Sequence, residues 1–79
     1  MYIVIELQTN GGVTANIVSS YASQTEAESR YHSILASAAI SSVEVHAAAI
    51  LTEEGFCLRS ECYKHTPAPV QEVDDAGDA

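Results

Sequence analysis

The sequence predicts an α+β domain of ββαββ order, a four-stranded antiparallel sheet with one helix packed on one face. Three observations predict it. Two alternating stretches of branched residues meet at an Asn-Gly-Gly turn, residues 24–40 carry an apolar stripe behind a serine cap, and two further stretches meet at a second glycine turn.

The first stretch, YIVIELQT from Tyr2, is rich in β-branched and aromatic residues and reads as a strand. Alternation sends Ile3, Ile5 and Leu7 to one face and Tyr2, Val4 and Glu6 to the other. Asn10-Gly11-Gly12 supplies the positive φ angles of a tight hairpin, and VTANIVSSYA returns as the antiparallel partner. Ser23, followed three residues later by Glu26, has the spacing of a capping box. Behind it, Ala27, Tyr31, Ile34, Leu35, Ala38 and Ala39 fall on one helical stripe, with Glu28, Arg30, His32, Ser33 and Ser37 opposite. VEVHAAAIL, 43–51, reads as the third strand despite its alanines, and TEEG turns the chain through Gly55. FCLRSECYKH then alternates as the fourth strand. From Thr66 onward two prolines, small residues and acids predict a disordered tail, so the domain is expected to span 1–65 and the tail 66–79.

One helix covers one sheet face. With Ile3, Ile5 and Leu7 beneath it, the uncovered face would carry Tyr2, Val4, Glu6, His46, Ala48, Ile50, Cys57 and Tyr63. Of these, Tyr2, Val4, His46, Ala48, Ile50 and Tyr63 form the expected interface. A chain of 79 residues has a thin core, and a homodimer or higher homo-oligomer built on that face is the expected remedy.

Charge limits the partners. The chain has 3 Lys+Arg against 11 Asp+Glu, a net charge of −8. Residues 1–65 hold seven of the acids and all three bases, Arg30, Arg59 and Lys64. Three cations cannot build the basic face that nucleic-acid backbone or an anionic membrane requires, so neither is an expected partner. A small anionic ligand would have to use some of those same three. The opening MYIVIEL lacks a basic region, and its apolar run is far too short to span a bilayer. With two cysteines only, the expected setting is a reducing cytoplasm.

The segment from Glu44 to His65 collects the residues that chemistry would need: Glu44, His46, Cys57, Glu61, Cys62 and His65. No CxxC, HxH or HExxH spacing is present, and on a regular strand Cys57 and Cys62 face opposite ways. No metal or other cofactor is therefore expected. Cys62, beside Phe56 and Leu58, reads as a small buried hydrophobe, and both cysteines are expected to stay reduced. A Cys57–His46 thiolate pair on adjacent strands lacks any supporting motif. Nine serines and three histidines make chance Ser/His/acid pairs unavoidable, and Glu53-Glu54 sits in a turn. Gly11-Gly12 precedes a strand and not a helix, so it is no phosphate loop. No enzyme is expected.

YIVIELQT, EAESRYHSILASAAISSVEVHAAAI and SECYKH together resemble a group of short hypothetical proteins of bacteriophages and prophages of gut bacteria. The similarity covers most of residues 1–65 and carries over no functional residue. It implies a phage accessory context in the host cytoplasm. The functional expectation is a non-catalytic binding protein, an inhibitor of host defence acting on a host protein or a small nucleotide. A minor virion or assembly component is the alternative.

Overall fold

The computed structural model describes residues 1–65. The expected tail at 66–79 lies outside the described residues. Two nine-residue strands, β1 (Tyr2–Asn10) and β2 (Val13–Tyr21), are followed by helix α1 (Gln24–Ile40) and strands β3 (Val45–Thr52) and β4 (Cys57–Lys64). The sheet order is β2-β1-β3-β4, antiparallel throughout, so the ββαββ expectation holds.

Local chemistry explains the boundaries. Gly11 and Gly12 have φ of 58° and 81°, the two left-handed positions of a type I′ turn, and Asn10 pairs directly with Val13. Ser23 Oγ accepts the Glu26 N–H at 3.2 Å and caps α1. The helix ends at Ser41, whose extended backbone leaves its N–H on the Ala38 carbonyl. Gly55, at φ 95°, closes the second hairpin while Thr52 N–H donates to Phe56 O at 2.8 Å.

The helix lies over the face opposite to the one expected. Val4, Ala48 and Ile50 are buried beneath Ala27, Tyr31, Ile34 and Leu35, with Tyr2 and Tyr21 packed at the margin. Glu6 and His46 are buried on the same side. Ile3, Ile5 and Leu7, expected under the helix, occupy the uncovered face. Ala39, expected on the buried stripe, is exposed.

Backbone geometry gives the reason. A two-residue turn closes on a hydrogen-bonded pair, so Asn10 and the even-numbered residues of β1 bond to β2. β2 and β3 run parallel with β1 between them, and α1 is the crossover that joins them. For L-residues, a right-handed crossover then places the helix on the side to which those even-numbered side chains point. Handedness, which alternation does not encode, selects the covered face.

The two sheet edges differ. β2 carries no charge and no proline, and pairs with β1 without interruption over nine residues. β4 carries Arg59, Glu61 and Lys64, and its register slips between Ile50 and Leu51. Arg59 faces Ile50 and Cys57 faces Leu51, which leaves Leu58 as the extra residue of a β-bulge.

Candidate functional site

Two features stand out: a buried polar network between helix and sheet, and the uncovered sheet face. The network centres on Glu6. Its Oε2 accepts from His46 Nε2 at 2.7 Å and from Gln8 Nε2 at 2.9 Å, and its Oε1 lies 3.4 Å from Arg30 Nη2. A carboxylate only accepts, so the imidazole hydrogen sits on Nε2, and Nδ1 faces Ser41 Oγ at 3.0 Å. Burial pushes the Glu6 carboxyl up. The hydrogen bonds from His46 and Gln8, with the His46 and Arg30 charges, outweigh burial and hold it below its usual value.

Ser41, His46 and Glu6 thus line up in the order of a nucleophile, a base and an acid. Further hydrogen bonds tie this row to the end of α1. Ser41 Oγ is 3.4 Å from both the Ala38 carbonyl and the Val43 N–H, and the Ser41 N–H is also spent on Ala38 O. The Ser41 and Val43 N–H groups beside the hydroxyl are thus both engaged within the protein. His65 Nε2 also reaches Ala38 O, at 2.7 Å. No basic residue lies in the last turn of α1, and His65, one residue past β4, meets the Ala38 carbonyl at its end instead.

The six residues between Glu44 and His65 do not converge. Glu44 accepts the Gly11 N–H at 3.2 Å, its own N–H donates to Asn10 Oδ1, and so it staples the first hairpin tip to the start of β3. His46 is buried in the network; His65 sits at the helix end. Glu61 is exposed on β4. Cys57 and Cys62 are free thiols and both are exposed, which corrects the expectation of a buried Cys62. The bulge also overturns their expected opposite facing, because their partners Leu51 and Ala47 belong to one face. Five residues along a strand still separate their Cα atoms by about 15 Å, beyond the roughly 7 Å that a disulfide can bridge. Among the described residues no group of three or more His, Cys, Asp or Glu is placed to hold a metal ion, and no helix is long and apolar enough to cross a membrane.

Of the residues expected on the uncovered face, Val4, His46, Ala48 and Ile50 are buried under α1. Tyr2 is half-buried on that same side, and Tyr63, which pairs with His46, lies there too. The uncovered face is formed by the opposite residues. Ile3, Ile5 and Leu7 stand beside Leu51, Ala49 and Ala47 in register, with Val18 and Cys62 flanking them. Ala47 and Ala49 leave a shallow depression of about 340 Å³ between Leu7 and the β4 residues Ser60 and Cys62. The strand positions of this face carry one charge, Lys64, at a corner. Two of the three cations are occupied elsewhere: Arg30 meets Glu6, and Arg59 Nε meets Glu28 Oε2 at 3.0 Å.

The sequence reading missed Gln8, Arg30 and Ser41 as partners of the buried pair. A signal existed: Glu6 and His46 share a face by alternation, and two such residues side by side need donors from whatever covers them. No protein-family model, curated protein or solved structure matches the chain.

Proposed function

We propose that this chain is a non-catalytic accessory protein that acts by binding, in homo-oligomeric form, in the cytoplasm of a phage-infected host. The observation that carries this reading is the uncovered sheet face, apolar along its β1 and β3 centre and with a single charge at its corner. Such a face suits contact with another macromolecule and offers no polar cluster for chemistry. The resemblance to short phage proteins supports inhibition of host defence as the biological role. A host protein fits better as target than a small nucleotide, because Arg30 and Arg59 are already committed to carboxylates.

The test is expression of the chain in a bacterial host with active defence systems, scored by plating of a defence-sensitive phage. Restored plating by the wild type and its loss in Leu7→Glu support the reading. Unchanged plating across a panel of such hosts, with stoichiometric copies in purified virions, would replace it with the virion-component reading.

A further inference from the structure

We infer that the uncovered face is occupied by a second copy of this chain, with the β1 ridge of each chain seated in the β3 trough of the other. This deepens the binding reading above, on which it rests, by naming the occupant of that face.

Between Ile5-Leu7 and Ala47-Ala49 the relief of the face is self-complementary, with Ile3 and Leu51 meeting as two large side chains at one end. Ile3, Ile5 and Leu7 form a ridge of large side chains along β1, and Ala47 and Ala49 form a trough along β3 immediately beside it. A two-fold axis in the plane of the interface, parallel to the strands and midway between β1 and β3, exchanges these two rows. It leaves height along the strand unchanged, so the in-sheet register fixes the contacts. Ile5 pairs with Ala49 and Leu7 with Ala47 within one chain, so Ile5 of one chain meets Ala49 of the other, and Leu7 meets Ala47. Leu7, 37% exposed, is thereby inserted into the depression that the alanines leave.

Charge and area agree with this occupant. Two copies of a net-negative chain repel unless they meet where acids are missing; the strand positions of this face hold none, and Glu61, which borders the depression, pairs with Ala48 on the helix side. Four strands about 4.8 Å apart and eight residues long give a footprint of about 500 Å². A pair then buries about 1,000 Å², the threshold for a specific interface.

Sedimentation equilibrium of the full chain across about 1–100 µM tests the proposal, with circular dichroism as a control for folding. The wild type is expected to dimerise. Ala49→Phe adds apolar surface but fills the trough, and is expected to weaken dimerisation at least about tenfold while the monomer stays folded. Exchanging ridge and trough in Ile5→Ala/Ala49→Ile is expected to restore more association than either single change. A folded wild-type monomer throughout the range overturns the proposal. So does an Ala49→Phe variant that associates as tightly as the wild type, since that is generic apolar adhesion. A monomer that still restores phage plating overturns the second copy as occupant, and with it the homo-oligomeric form, and leaves the binding role standing.

Discussion

Removing the imidazole of His46 puts the largest load on this fold for the fewest atoms. The Glu6 and His46 side chains are 10% and 5% exposed, and their hydrogen bond spans 2.7 Å. In His46→Ala the carboxylate stays buried and loses its shortest partner, keeping Gln8 at 2.9 Å and Arg30 at 3.4 Å. Stripping one partner from a buried charge costs about 3–5 kcal/mol. The two remaining partners bring the expected loss to about 2–3 kcal/mol, the range for a hydrogen bond to a charged group. A body of this size has a total stability of about 3–10 kcal/mol, and each kcal/mol is worth about 4–8 °C in melting temperature. Thermal unfolding at neutral pH, followed by circular dichroism, should therefore show His46→Ala melting about 10–20 °C below the wild type. Glu6→Met combined with His46→Leu removes both halves of the pair and should recover most of that loss, because no orphaned charge is left. A His46→Ala melt within 2–3 °C or so of the wild type would refute the assignment of Glu6 as a buried, imidazole-held carboxylate.

Acid should act through the same group. The folded-state pKa of Glu6 is lowered, so its contribution is fully present above the ordinary carboxylate range and is lost as pH falls through the folded value. Melting temperature should decline steeply on acidification in the wild type and less so in Glu6→Met. Tyr31 titrates in the opposite sense: burial, with the Glu61 charge next, raises its phenol above the usual value. Its contribution is present below the ordinary tyrosine range and lost as pH rises, and tyrosinate absorbance of Tyr31→Phe should lack the latest-ionising component. Cys57 and Cys62, both exposed in the single chain and both on the uncovered face, should react readily with a thiol reagent at dilution, and Cys62 should react more slowly at concentrations where the chain dimerises. Ser23→Ala removes the α1 cap and should cost about 1 kcal/mol, read as a drop in melting temperature without change in oligomeric state.

Element order, both turns, the cap and the helix bounds were legible because each is written in local chemistry. Asn10-Gly11-Gly12 admits little besides a tight hairpin, and Ser23 with the stripe from Ala27 to Ala38 marks one amphipathic helix. The covered face was misread from a local criterion. Both faces of β1 carry apolar residues, and alternation separates them without saying which one the helix covers. The deciding information was present in another form: a two-residue turn and a right-handed crossover together select the side. With that face inverted, Glu6 and His46 became surface residues on paper, and the network went unseen. The bulge at Leu58 had no such signal. Nothing in CLRSEC marks it, so the facing of the two cysteines could not be read from their spacing.

The unlike edges of the sheet have a bearing on how the chain behaves when crowded. Growth of a cross-β stack needs two open ends, one to be templated and one to template the next addition. Here β2 is an unguarded end, whereas the charges and bulge of β4 make it a poor one. An encounter that joined two chains through β2 would use up the receptive end of both, leaving only β4 exposed at either side. Mispairing therefore terminates itself at two molecules. A single guarded margin protects the population, and β2 can remain a plain strand.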